Sequence, residues 1–256
     1  MRELPQSTTK TRLDQLLVAR GLAESRSRAQ ALVMAGLVYS GERRLEKAGA
    51  LVSADLPLTL RGQDHPWVSR GGLKLAAALD RFGIDPRGLV CLDIGASTVG
   101  FTDVLLARGA ARVYAVDVGH GQLAWKLRRD ARVTVLERVN ARYLGNKEVP
   151  EPVALIVCDA SFIGLETLLP APLALAAPGA FLVALIKPQF EVGPGQVGKG
   201  GVVRDPRLHE EACERIRRFI AARPGWTVLG IVASPIMGTD GNKEFLIAAR
   251  REDKPA

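Results

Sequence analysis

Residues 89–119, LVCLDIGASTVGFTDVLLARGAARVYAVDVG, decide how this chain folds. Residues 89–94 form a short apolar run that closes on Asp93, and Gly95 and Gly100 bracket the turn behind it. Residues 101–108 repeat their apolar positions at helical spacing, and residues 113–118 are a second apolar run. The succession predicts strand, turn, helix and strand, since short apolar runs suit strands buried on both faces. Asp117 lies about 20 residues beyond Gly95, where a nucleotide-binding αβ unit places the acid that holds a ribose hydroxyl. The glycine spacing is G-x-x-x-x-G with serine at 97, so the turn is not the dinucleotide fingerprint. A strand-end acid followed by this looser turn suits S-adenosylmethionine better than NAD.

Composition sets the outer bounds. The 256 residues allow one large domain and a small one. Hydrophobic content of 47% and charged content of 24% are those of a globular protein. A net charge of +8 and a pI near 9.7 point to an anionic partner, most economically nucleic acid. Cys91, Cys158 and Cys213 are unclustered and read as small hydrophobes in a reducing compartment, with no metal-ligand spacing among them. Polar residues 1–10 give no sign of a signal peptide. Residues 167–186 carry no charge, a length that could span a bilayer. Pro170, Pro172 and the pair Pro178-Gly179 interrupt them. A helix near 168–176, a turn at 178–179 and a buried strand at 181–186 account for the segment better.

The chain divides near residue 65. In residues 10–62, Leu13, Leu16 and Leu17 share one helical face that Gly21 ends, and Ser25 is an N-cap candidate for a second helix over 26–35. That helix presents Ala29, Leu32 and Val33, and short strands follow around 37–39 and 56–60. Arg12, Arg20, Arg26 and Arg28 lie on or beside the helices, and as a group they favour a phosphate-gripping face. The pattern R-L-D-x-x-L at 12–17, then S-R-x-x-A with G-x-V at 25–38, resembles the small S4-type RNA-binding domain of ribosomal proteins. That resemblance implies RNA contacts from these arginines and from Lys47, with Arg70 continuing them at the start of the second domain. The expected division is an RNA-binding domain over 1–64, a linker over 65–69 around His65-Pro66-Trp67-Val68, and a second domain over 70–256.

The second domain opens with SRGGLKL at 69–75. A helix over 73–82 would bury Leu75, Leu79 and Phe82, leaving Lys74 off the core face. A lysine there opposes the positive end of the helix dipole, which invites a functional reason. Two further apolar runs end in Asp159 and Lys187, and a final strand over 245–249 begins beside Glu244. Ligands of open αβ sheets bind outside the carboxyl ends of the parallel strands. Asp159 and Lys187 would emerge there, joined by Glu244 if the last strand runs antiparallel.

Residues 70–250 resemble the FtsJ-like family of S-adenosylmethionine-dependent ribose 2′-O-methyltransferases. With the N-terminal domain included, the chain resembles the TlyA family of ribosomal RNA 2′-O-methyltransferases, often labelled hemolysins. The motifs are SRGGLKL at 69–75, LDIGASTVGF at 92–101, VYAVDVG at 113–119, CDASFI at 158–163, KPQFE at 187–191 and GNKEF at 241–245. The resemblance implies an α/β fold: a Rossmann-like class I methyltransferase sheet with helices on both faces, preceded by a small α+β RNA-binding domain. It also implies a catalytic tetrad of Lys74, Asp159, Lys187 and Glu244. The cofactor set is Asp93, Gly95, Ser97, Gly100, Phe101, Asp117, Val118, Asn140 and Asp159, and no metal is implied. The implied partner is ribosomal RNA or a ribosomal subunit in the cytoplasm, without a membrane or an obligate protein partner.

The residue types suit the chemistry. A ribose 2′-hydroxyl is a poor acid, so its methylation calls for a base or a field favouring the alkoxide, and Lys187 is the candidate base. A neighbouring Lys74 would favour the neutral amine by like-charge repulsion, while Asp159 and Glu244 orient the two amines. The sulfonium already activates the methyl, so the remaining requirement is in-line alignment.

Two features cut across this reading. Val99 stands where relatives carry a second glycine, and a β-branched residue is disfavoured wherever φ must be positive. A catalytically weakened RNA-binding factor is therefore one alternative, and a membrane-lytic protein with an uninterrupted spanning segment is another. Residues 193–201, GPGQVGKGG, lack the ending of a phosphate loop and suit a mobile loop beside the substrate, with Arg204 and a surface His209 beyond it.

Overall fold

The computed structural model describes residues 10–23, 25–34, 36–60, 67–97, 100–120, 125–238 and 240–252. The chain forms two compact bodies, Met1–Pro66 and Trp67–Ala256. Val99 and the side chain of Arg28 fall outside the described residues.

The first body comprises β1 (Lys10–Arg12), α1 (Leu13–Ala19), α2 (Arg26–Met34), β2 (Val38–Ser40), β3 (Arg43–Arg44), β4 (Leu51–Ser53) and β5 (Thr59–Leu60). Strand β1 pairs antiparallel with β4, and β2 lies between β3 and β5. Leu13, Leu17, Ala29, Leu32, Val33 and Val38 make its core, so the apolar faces read from helical spacing are the ones that pack. Asp14 is buried in the first turn of α1, where its carboxylate accepts from Arg12 at 2.9 and 3.0 Å and from Gln30 at 3.0 Å. The Arg12 guanidinium holds the Asp14 carboxyl well below the usual carboxylate range.

The second body continues with α3 (Gly71–Phe82), β6 (Val90–Ile94), α4 (Gly100–Ala107), β7 (Arg112–Asp117), α5 (Trp125–Arg128), β8 (Val133–Glu137) and β9 (Val153–Cys158). Then come α6 (Leu165–Leu168), α7 (Pro170–Ala174), β10 (Ala176–Ile186), α8 (Pro188–Glu191), α9 (Pro206–Ala221), β11 (Trp226–Ala233) and β12 (Phe245–Arg251). One sheet carries the seven strands described for this body, in the order β11-β12-β10-β9-β6-β7-β8. Its neighbours are parallel from β10 to β8, while β12 is antiparallel to β10 and to β11. The chain winds outward in opposite directions from β6 and β9, which makes their carboxyl ends the switch point where such sheets bind ligands.

Side-chain alternation buries both faces. Leu92, Ile94, Ile156, Cys158, Leu182 and Ala184 pack on one side with Ile216 and Ile220 of α9. Cys91, Leu155, Val157, Val183 and Leu185 pack on the other with Leu75 and Leu79 of α3 and Leu105 of α4. Trp67 and Val68, expected in a linker, pack against this second cluster; the rest of that linker begins outside the described residues.

The uncharged segment differs in detail from its sequence reading. The helix expected over 168–176 is two short helices, with Pro170 opening the second. Pro178-Gly179 lies within β10, where the register with β9 shifts between Ala176 and Phe181. Among the described residues no helix is long and apolar enough to cross a membrane.

Candidate active site

Strand β9 ends at Cys158, so Asp159 is the first residue beyond the sheet, and its N–H donates to the Ile94 carbonyl at 3.0 Å. The neighbouring turn approaches closely. Gly95 has φ of +75°, and a Cβ there would meet the Ala160 Cα at 2.8 Å, so only glycine fits. Strand β10 ends at Ile186, which pairs with Phe245 across the antiparallel ladder. Lys187 and Glu244 therefore leave the sheet side by side, as the antiparallel last strand requires.

Two ion pairs form there, the first part-buried and the second buried. Lys187 Nζ lies 2.6 Å from Asp159 Oδ1 and also donates to Ser161 Oγ at 2.9 Å and to the Asp159 carbonyl at 3.5 Å. Lys74 Nζ lies 2.5 Å from Glu244 Oε2. A Cβ on Gly71, one helical turn before Lys74, would sit 3.7 Å from Asp159 Oδ2, so the start of α3 abuts the first pair.

Lys74 departs from the sequence reading. It is only 8% exposed and packs inward, because Glu244 supplies a partner that helical periodicity cannot reveal. Its direct charge contact is with Glu244 rather than with Lys187, so each ammonium has its own carboxylate.

The turn residues expected to serve a cofactor lie at the same edge. Asp93 is fully buried; Thr102 Oγ1 donates to its Oδ2 at 2.6 Å, and its Oδ1 has no partner among the described residues. Burial, reinforced by Asp159 and Asp117, outweighs the Thr102 hydrogen bond and pushes the Asp93 carboxyl up to about 7. Asp117 ends β7 and accepts the Ser97 N–H at 2.8 Å and the Gly119 N–H at 2.6 Å. Val118 beside it is 70% exposed. Asn140 caps a short 3-10 turn, next to Val139, whose N–H donates to the Asp117 carbonyl at 3.1 Å. Gly100 and Phe101 are buried at the start of α4, with Phe101 in the core.

Sequence reasoning missed three residues here: Ser161 against Lys187, Thr102 against Asp93, and Asn242. Asn242 is buried and ties the turn before Glu244 to the Val203 N–H and the Gly201 carbonyl, both at 2.9 Å. The G-N-K-E spelling placed it beside the tetrad, but only folding shows what its amide holds. Phe162 has φ of +65°, is 91% exposed, and tilts toward Phe190 with ring centroids 5.2 Å apart. His209, expected at the surface, is buried, with Nε2 at 2.9 Å from the Val203 carbonyl and its ring against Phe245. All three cysteines are free, and burial pushes each thiol up to about 12, so none is poised as a thiolate.

Three of the expected RNA-facing arginines, Arg12, Arg20 and Arg26, carry intramolecular contacts. Arg12 and Arg26 hold Asp14, Arg20 donates to the Leu56 carbonyl at 2.6 Å and to the Ala54 carbonyl, and Lys47 and Arg70 are exposed.

The sheet order, the antiparallel β12 and the acids at the carboxyl edge define a class I methyltransferase. The sequence pattern described as FtsJ-like methyltransferase matches residues 67–251, and that of the S4 domain matches residues 11–56. The chain is 49% identical to the 16S/23S rRNA (cytidine-2′-O)-methyltransferase TlyA of Mycobacterium tuberculosis, over 95% of this chain and 91% of that protein. It is 50% identical to YqxC of Bacillus subtilis, provisionally named an rRNA methyltransferase, over 94% of this chain and 86% of that one. A solved structure from Streptococcus thermophilus, provisionally named a hemolysin, superposes with a TM-score of 0.75 at 42% identity, covering 97% of this chain and 91% of that one. The chain belongs to the TlyA branch of the FtsJ-like methyltransferases.

Proposed function

We propose that this protein transfers a methyl group from S-adenosylmethionine to the ribose 2′-hydroxyl of a cytidine in ribosomal RNA, in the cytoplasm. The observation that carries the reading is the Lys187–Asp159 pair at the switch point of the sheet, with Lys74–Glu244 beside it. The names of relatives sharing about half of this sequence support the substrate class.

The carboxyl edge fits a cationic cofactor. Asp93, Asp117 and Asp159 lie close enough that the latter two raise the first, and Asp93 Oδ1 is buried with no partner among the described residues, so positive charge nearby would relieve the edge. When bound, S-adenosylmethionine supplies a methyl group already activated by its sulfonium. Asp117 would hold the ribose hydroxyls with the lone pairs its two backbone donors leave free. Val118 and Asn140 would flank the adenine, and Gly95, Ser97 and Gly100 the methionine end.

Lys187 is the group for the 2′-hydroxyl. As an ammonium it spends its three protons on Asp159 and Ser161 and has no lone pair to offer. To act as a base it first releases one proton to Asp159, its nearest acceptor, and Nζ then takes the hydroxyl proton as the oxygen attacks. Lys74 and Glu244 fix the substrate side of the cleft. The exposed Phe162 ring offers a stacking face for an unpaired base. The exposed Lys47 and Arg70, with the outer edges of Arg12, Arg20 and Arg26, supply phosphate contacts.

Incubation of unmodified ribosomal subunits with methyl-labelled S-adenosylmethionine tests the reading. Label in alkali-resistant dinucleotides marks ribose 2′-O-methylation, and Lys187→Ala should lower the rate about 10²- to 10⁴-fold. Label on a base, or none with either subunit, defeats the proposal.

A further inference from the structure

The site is assembled from two chain segments that leave adjacent strands. Residues 159–164, after β9, carry Asp159 and Ser161; residues 187–191, after β10, carry Lys187 and close on Glu191. Lys187 ties their near ends together. Their far ends are joined by Glu191, which is 4% exposed and whose Oε1 accepts the Leu165 N–H at 2.9 Å. Arg215 of α9 straddles the same junction, donating to the Glu191 carbonyl at 2.6 Å while pairing with Glu166 at 2.5 Å. Between the two ends, the Phe162 and Phe190 rings touch.

Two details separate Glu191 from an ordinary helix cap. Its Oε2 is buried and has no partner among the described residues, an arrangement that folding by itself disfavours. Gly164, at φ of −75°, leaves the space this oxygen needs: a Cβ there would lie 3.2 Å from Glu191 Oε2 and 3.3 Å from the Phe190 carbonyl.

We infer that Glu191 is a positioning residue, which fixes the segment bearing Asp159 and Ser161 at the distance where both meet Lys187. The inference rests on the proposed role of Lys187 in methyl transfer. A glutamine side chain keeps an oxygen that can accept the Leu165 N–H, so Glu191→Gln preserves the bond that Glu191→Ala removes.

The test uses the full-length protein with S-adenosylmethionine and ribosomal subunits. Glu191→Ala should lower kcat about 100-fold, the size of loss an ångström of misplacement causes, with KM for S-adenosylmethionine unchanged. Glu191→Gln should recover most of that rate. Full kcat in Glu191→Ala, or equal losses in both variants accompanied by equal drops in melting temperature, would overturn the inference. If Glu191→Ala does not fold, Gly164→Ala decides, since it crowds the same oxygen with the Glu191 side chain kept: lowered kcat supports positioning and wild-type kcat defeats it. Should the wild-type protein transfer no methyl group, the proposed function fails separately. Amide chemical shifts still report on the segment then, where movement of both Leu165 and Ser161 in a folded Glu191 variant supports positioning and an unmoved Ser161 overturns it.

Discussion

Ile186 and Phe245 face each other across the antiparallel ladder of β10 and β12, and this pairing brings Lys187 and Glu244 together although they lie far apart in sequence. Had β12 entered the sheet parallel, Glu244 would sit at the opposite edge, and Lys74 would be a buried cation without a counter-charge.

The stability of that arrangement is open to a double-mutant cycle. Glu244→Ala leaves Lys74 buried and unpaired, and should cost about 3–5 kcal/mol of unfolding free energy in urea. Replacing both partners, Lys74→Met with Glu244→Leu, should restore most of the stability and none of the methyl transfer. A double variant as unstable as the single one would mean that the pair serves the fold more than the site.

Asp93 gives the fold a pH dependence of definite sign. Its folded-state value near 7 lies above the ordinary 3.8, so between those values the folded protein binds the extra proton. Its contribution to stability is complete below about pH 4 and is lost as the pH rises toward 7, at a slope of up to about 1.4 kcal/mol per pH unit. Urea midpoints across that range should therefore fall in the wild type relative to Asp93→Asn. Parallel curves for the two proteins would refute this assignment.

Lys47 and Arg12 should fail differently in RNA binding. Lys47 is exposed, and Lys47→Ala should reduce the salt dependence of binding by about one unit of slope without lowering the melting temperature. Arg12 braces the buried Asp14, so Arg12→Ala should weaken binding chiefly by destabilising the first body. Melting curves and salt titrations of the two variants separate these effects.

Much of this was legible beforehand. The alternation of Cys91, Leu92, Asp93 and Ile94 between two buried faces follows from a strand's two-residue period, and Gly95 and Gly100 mark the turn because the backbone passes too close there for side chains. Lys74 was misread because helical spacing ranks residues by apolarity, and a lysine becomes a core residue only when another element brings it a carboxylate. His209 was misread for the same reason, since its partners, Val203 and Phe245, come from elsewhere in the chain. At Pro178-Gly179 the turn signal was local and real, but the shifted register lets β10 absorb it.

Local sequence was enough for the glycine turn, the two strands and helix around it, and the residue types gathered at strand ends, because those depend on periodicity and backbone sterics over a few neighbouring residues. The tertiary structure decided which charge meets which: Lys187 with Asp159, Lys74 with Glu244, Arg12 with Asp14, and Glu191 with the Leu165 amide. Those pairings depend on sheet order and register, which bring groups from distant parts of the chain within hydrogen-bonding distance and remove the water that would otherwise screen them.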